Sequence, residues 1–166
     1  VFAHCLHLDA TDRSLLAEKG GTGAFCPTSN LFLGSGLFDL QSMSDAGVRV
    51  GLATDVGGGT SMSLLRTMSE AYKMLHLRGQ PLPASRAFYL ATLGAAEALY
   101  LDDLIGNFVP GKEADFIVLD PQGSHITERR AAFAETLDEL LFALIFLGDD
   151  RNVAATYVAG RKAELV

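Results

Sequence analysis

The sequence predicts an α/β fold in which helices cover a parallel sheet. Three observations carry this. Short apolar runs recur through the first third of the chain, helical patterns ending in glycine separate them, and polar residues with chemical potential stand at the ends of the runs. Strand, helix, strand, helix, strand is the order that a parallel sheet with outer helices needs.

The first run is Val1-Phe2-Ala3, the second Gly23-Ala24-Phe25-Cys26, the third Val48-Arg49-Val50-Gly51-Leu52-Ala53. Each has the length and content of a buried strand. Between them, residues 11–19 read as a helix stopped at Gly20-Gly21, and residues 37–46 as a helix stopped at Gly47. A long helix is expected over residues 62–78, with Met62, Met68, Tyr72 and Met74 packing a core. Gly79, Pro81 and Pro83 break it. Residues 84–100 read as two helices with a break near Gly94. The texture then changes. Residues 105–120 alternate turn residues with β-branched and aromatic ones, 136–147 form a helix, and 152–158 and 162–166 are strands around Ala159-Gly160. The expected division is 1–104 and 105–166.

Composition excludes several classes. Nearly half the residues are apolar and a fifth charged, which is a globular composition. The net charge of −7, with basic residues scattered, argues against a nucleic-acid partner. No apolar run reaches membrane-spanning length. Neither Cys5 nor Cys26 belongs to a CxxC pair, so both read as small buried hydrophobes in a reducing, cytoplasmic setting. The chain opens inside a strand pattern, so a piece of a longer polypeptide is expected.

The candidate chemistry lies at the strand ends, where parallel α/β folds gather their working loops. Asp55 closes the third run and precedes Gly57-Gly58-Gly59. A carboxylate there is costly unless paired, hydrogen-bonded or bound to a metal, and the glycines let backbone come close to whatever it holds. A helix cap or structural ion pair is the competing reading. His4 closes the first run and could move protons or hold a carbonyl; a core histidine is its competing reading. Pro27-Thr28-Ser29-Asn30 follow the second run as ordinary turn residues, with Ser29 and Asn30 as weak candidates for substrate binding. His7, His76 (in a helix) and His125 (in a polar loop) read as non-functional.

These residues in this order resemble the amidohydrolase superfamily, and within it the guanine deaminases. The segments that carry the resemblance are Val1-Phe2-Ala3-His4, Ala24-Phe25-Cys26-Pro27-Thr28-Ser29-Asn30-Leu31, the stretch 51–59 ending in the glycine triplet, and 110–120 ending in Asp115-Phe116-Ile117-Val118-Leu119-Asp120. The last is a superfamily signature. The run from Phe25 to Gly36 with the glycine triplet is more specific to guanine deaminases.

The resemblance implies the C-terminal part of a (β/α)8 TIM barrel, about strands six to eight with their helices. It also implies the C-terminal share of a small β-sandwich from residue 105 onward. It implies one zinc ion held by Asp55, the remaining ligands lying upstream of this chain, which contains no HxH pair. Asp55 would also move protons, and His4 would stand beside the attacking water and the substrate. The implied reaction is hydrolysis of guanine, a small-molecule purine, to xanthine and ammonia, by the full-length protein and not by this chain alone. A homodimer would be the assembly to expect. Two other readings compete. One is another amidohydrolase, such as a triazine chlorohydrolase or a different aminohydrolase; the other is a non-catalytic remnant or interaction module. A nucleotide cradle on the glycine run is weak, because the spacing of a dinucleotide or P-loop motif is absent.

Overall fold

In the computed structural model, which describes residues 1–164, the chain forms two three-stranded sheets with eight helices around them. The first sheet is parallel: β1 (Phe2–Ala3), β2 (Gly23–Phe25) and β3 (Val50–Leu52), in that order across the sheet. Phe2 pairs with Gly23, Gly23 with Val50, and Phe25 with Leu52. The α/β grammar of the sequence is therefore present, with α1 (Ala10–Glu18) between β1 and β2. Asp9 caps α1 in a reciprocal box with Asp12.

Residues 27–32 depart from expectation. They form a helix, α2 (Pro27–Phe32), that follows β2 without a turn. Proline at the first helical position lacks an N–H that would be unpaired there anyway, and its fixed φ suits the helix. All four residues from Pro27 to Asn30 are buried.

The core lies between the parallel sheet and α3 (Leu40–Asp45), α4 (Leu64–Leu77) and α5 (Ala84–Ala91). Phe25 and Phe38 are fully buried and stack at 4.4 Å. Met43, Met68, Met74, Leu75 and Leu90 close around them. Met62 does not join: it precedes the helix, whose cap is Ser63, and is 78% exposed. The second break falls at Thr92 (φ −126°, ψ −100°), before α6 (Leu93–Ala98), two residues ahead of Gly94.

The second sheet is antiparallel: β4 (Phe116–Leu119), β5 (Val153–Val158) and β6 (Arg161–Lys162), ordered as in the chain. Residues 165 and 166 of the expected last strand lie outside the described residues. Two helices intervene. α7 (His125–Ala131) was not legible as such; its signal is the Ser124–Thr127 capping pair, and His125 opens this helix instead of sitting in a loop. α8 (Leu137–Leu147) returns to the first sheet's helices, where Phe142 and Phe146 meet Tyr72 edge-on at 5.4 and 5.2 Å. No described helix is long and apolar enough to cross a membrane.

Asp39 ties the core helices together. It accepts from the Ser42 N–H at 3.0 Å as the cap of α3, from Gln80 at 2.8 Å, and from Arg78 at 2.7 Å. Burial opposes its ionisation most, yet the Ser42 N–H, the Gln80 amide and the Arg78 guanidinium together outweigh it and hold the carboxyl at about 2. The folded value is depressed. Its stabilisation is therefore complete above the ordinary carboxylate pKa and lost as pH falls toward about 2. Asp39→Ala is expected to cost about 1–2 kcal/mol at neutral pH, after discounting for a side chain 28% exposed. The difference from the unsubstituted protein should shrink toward the loss of the cap alone near pH 2. Denaturant midpoints measured across pH check this; a difference independent of pH refutes it.

Candidate functional site

Three segments meet at the C-terminal rim of the parallel sheet. The ladder runs one residue past the strands: the His4 N–H donates to Ala24 O at 3.0 Å and the Ala53 N–H to Phe25 O at 2.8 Å. This alignment places His4, Cys26 and Asp55 side by side. One ligand-type atom of each lies within 4.8 Å of the others. His4 Nε2 stands 3.7 Å from Asp55 Oδ2, with the two side chains 40% and 35% exposed. Asp55 therefore neither fastens a helix end nor points away from His4.

Both residues hold left-handed backbone, φ 67° at His4 and 48° at Asp55. Such conformations cost about 1–3 kcal/mol in a residue with a side chain and persist where the surroundings enforce them. At His4 the sheet ladder does so. At Asp55 it is the glycine turn: the Gly59 N–H donates to Asp55 O at 2.5 Å, and Val56 bridges to Gly59. A Cβ on Gly59 would lie 1.9 Å from Thr54 O, so only glycine passes here. A Cβ on Gly58 would lie 2.8 Å from Ser29 Oγ and 3.2 Å from Asp55 Oδ2. The space beside Gly58 and Gly59 is thus already taken by the site's own atoms, which counts against a phosphate cradle there.

Helix α2 supplies the back wall. Thr28 Oγ1 donates to Thr54 O at 3.0 Å and so ties α2 to the segment carrying Asp55. Asn30, 1% exposed, sets its Oδ1 2.8 Å from His4 Nδ1. Ser29 is equally buried. Ser29 Oγ and Asn30 Nδ2 have no hydrogen-bond partner among the described residues, an uncommon state for buried polar atoms and one found at working sites. The Cys26 thiol is pushed up chiefly by burial, eased by the His4 backbone N–H and raised further by the Asp55 charge; it donates to Ala24 O at 3.4 Å. It lines the wall beside His4 and Asp55.

Sequence reasoning placed His4 and Asp55 at this rim, offered Ser29 and Asn30 only as weak substrate-binding candidates without the contact of Asn30 to His4, and missed Cys26. Proline directly after a strand was the available signal for α2, and the first turn of that helix is what carries Asn30 back over His4. The other histidines lie elsewhere. His7 is exposed, His76 stacks on Tyr72 at 5.2 Å, and His125 faces Glu128 at 3.5 Å with its side chain in solvent. An apolar cleft of about 870 Å³ runs beside β1, lined by Phe2, Leu6, Leu15 and Leu16. It reaches His4 but not Asp55, so it is the uncovered flank of β1 and not the chemical centre.

The arrangement has a clear chemical demand. An imidazole nitrogen and a carboxylate oxygen converge with no cationic side chain between them among the described residues. Such a pair calls for a proton or a cation. Imidazole nitrogen and carboxylate oxygen are both zinc-type donors. The donor set therefore fits a zinc ion, and a catalytic zinc takes about three protein ligands.

The profile of the Amidohydrolase family matches residues 1–163. A guanine deaminase of Escherichia coli is 52% identical over 161 residues, which is 97% of this chain and 37% of that protein. The E. coli guanine deaminase structure superposes with a TM-score of 0.96 at 51% identity, over 98% of this chain and 38% of that one. A guanine deaminase from C. acetobutylicum, solved with guanine in its active site, superposes at 0.81 with 29% identity over 96% and 38% of the two chains. An adenosine deaminase from Xanthomonas campestris, solved with bound zinc, gives 0.82 at 25% identity over 96% and 36%. The chain thus spans a little over a third of the length of these relatives.

Proposed function

The chain belongs to the amidohydrolase family, and from that premise we propose that it is part of a zinc-dependent guanine deaminase whose remaining metal ligands lie upstream. The reaction is hydrolysis of guanine to xanthine and ammonia by the full-length protein. The observation that carries this reading is the 3.7 Å approach of His4 Nε2 and Asp55 Oδ2 from the ends of two different strand segments. The similarity to guanine deaminases across nearly the whole chain supports the choice of substrate.

In this reading β1, β2 and β3 are strands six to eight of a (β/α)8 barrel and residues 1–104 are its C-terminal portion. Residues 105–166 are the share of a small β-sandwich with intervening helices, α8 lying back against α4. The substrate is a small purine; nucleic acid and membrane are not partners. A homodimer in the cytoplasm is the form we propose for the full-length protein, in keeping with two free thiols.

Asp55 would hold the metal. Bound zinc lowers the pKa of water and so supplies a nucleophile near neutral pH. The other work falls to the chain's own side chains. Asp55 takes a proton as the water oxygen bonds to the amine-bearing ring carbon. It returns that proton to the departing nitrogen as the carbon–nitrogen bond breaks, so ammonia leaves neutral. His4 orients the water by accepting its other hydrogen at Nε2. The left-handed backbone at both residues fixes their approach before substrate arrives.

Ammonia release by the full-length protein from guanine, adenine, cytosine and triazines tests the proposal. Guanine is expected to be turned over far faster than the others. The purified 166-residue chain is expected to hold zinc below stoichiometry and to release no ammonia, because in this reading the remaining metal ligands lie upstream of it. Preference for another ring overturns the substrate; guanine-dependent ammonia from the 166-residue chain overturns the division of the site.

A further inference from the structure

Asn30 is a buried amide in direct contact with the site's histidine, and its placement follows from the local sequence. Pro27 opens α2 immediately after β2, and the Asn30 N–H donates to Cys26 O at 3.0 Å in the first helical turn. That turn brings the side chain back over the strand end, where burial to 1% exposure leaves it little freedom. Its Oδ1 lies 2.8 Å from His4 Nδ1. An amide oxygen only accepts, so Nδ1 must carry the hydrogen. A neutral imidazole then has its lone pair on Nε2. Nε2 is the nitrogen turned toward Asp55.

We infer that Asn30 is a positioning residue that fixes His4 as its Nδ1–H tautomer and leaves Nε2 as an acceptor beside Asp55. The tautomer decides what the pair can do. With a lone pair on Nε2, a water between the two residues gives one hydrogen to Nε2 and the other to Asp55, and its oxygen is free for the ring carbon. With a hydrogen on Nε2, His4 could no longer accept from the water, which would be one acceptor short. The unpaired Asn30 Nδ2 fits this role: the amide is held for what its oxygen does, at the expense of its other end. The catalytic consequence rests on the deaminase reading; the tautomer does not.

The test is a long-range nitrogen–proton correlation spectrum of full-length protein labelled with 15N-histidine, recorded where imidazoles are neutral, with the His4 signals assigned by difference. The expected pattern is a protonated Nδ1 and a bare Nε2. Asn30→Leu removes the acceptor and is expected to shift His4 to the other tautomer or a mixture. Asn30→Asp keeps an acceptor and is expected to keep the Nδ1–H form. For guanine, Asn30→Leu should lower kcat about 10- to 100-fold, the usual scale for a group that orients a site's ligand from behind, with KM changed much less. Partial recovery is expected in Asn30→Asp.

A hydrogen on Nε2 in the unsubstituted protein overturns the inference, because Asn30 then faces His4 with its NH2 group. An unchanged tautomer in Asn30→Leu overturns it as well. Neither result depends on activity. By contrast, the expected tautomers in a protein that releases no ammonia from guanine would leave the inference standing and remove the substrate assignment.

Discussion

Asp55→Asn is expected to lower guanine deamination by the full-length protein at least about 10³-fold and to cut its zinc content, with little change in thermal stability. Asparagine keeps the shape and one oxygen acceptor but loses the charge and the ability to take and return a proton. Zinc favours the anionic ligand, and without it the nearby ligand-type groups are the imidazole of His4 and the thiol of Cys26. The fold should tolerate the change. The side chain is 35% exposed, and its described polar partner is His4 at 3.7 Å, beyond hydrogen-bonding distance. The glycine turn depends on the backbone oxygen of Asp55, which the substitution keeps. Ammonia release, metal analysis and a melting curve on the same preparation check the three parts. Retained activity with asparagine refutes the role of Asp55 outright. A large fall in melting temperature would show a structural carboxylate instead.

Gly59→Ala is the second large effect, and it acts through shape. The added Cβ would stand 1.9 Å from Thr54 O, 2.8 Å from Thr28 Oγ1 and 2.9 Å from Asp55 O. Two of these are backbone carbonyls, which cannot swing aside as a flexible side chain can. The turn must open. Opening breaks the Gly59 N–H bond to Asp55 O, endangers the Thr28 tie to Thr54, and releases Asp55 from its left-handed backbone. A loss of about 3 kcal/mol is expected, at the upper end for overpacking, with activity falling together with stability. Gly57→Ala is the control. Nothing stands within 4 Å of its Cβ, so only the strain of φ 123° remains, about 1–2 kcal/mol. Unfolding curves for the two variants check the ranking. Equal or reversed losses would mean that the turn is softer than its close contacts imply.

The parallel sheet, its glycine-stopped helices and the rim positions of His4 and Asp55 were legible in the chain alone. Their signals are local: apolar runs of strand length, glycine after helical periodicity, polar residues where the runs stop. The aromatic and methionine positions of the long helix were legible for the same reason, save Met62. Its periodicity fits the helix, yet Ser63 caps the helix one residue later and leaves Met62 outside. The short helices α2 and α7 were not legible because so few residues give no period to read, only a proline or a capping pair.

What the order of residues determined by itself was which groups stand at strand ends, since that needs only each residue's own neighbours. Tertiary structure alone decided which of them face one another. The 3.7 Å approach of His4 and Asp55, the amide of Asn30 behind the imidazole and the thiol of Cys26 in the wall depend on strand register and on one turn of a proline-started helix. Contacts between residues distant in the chain are set by packing, and packing shifts of a single residue would part them.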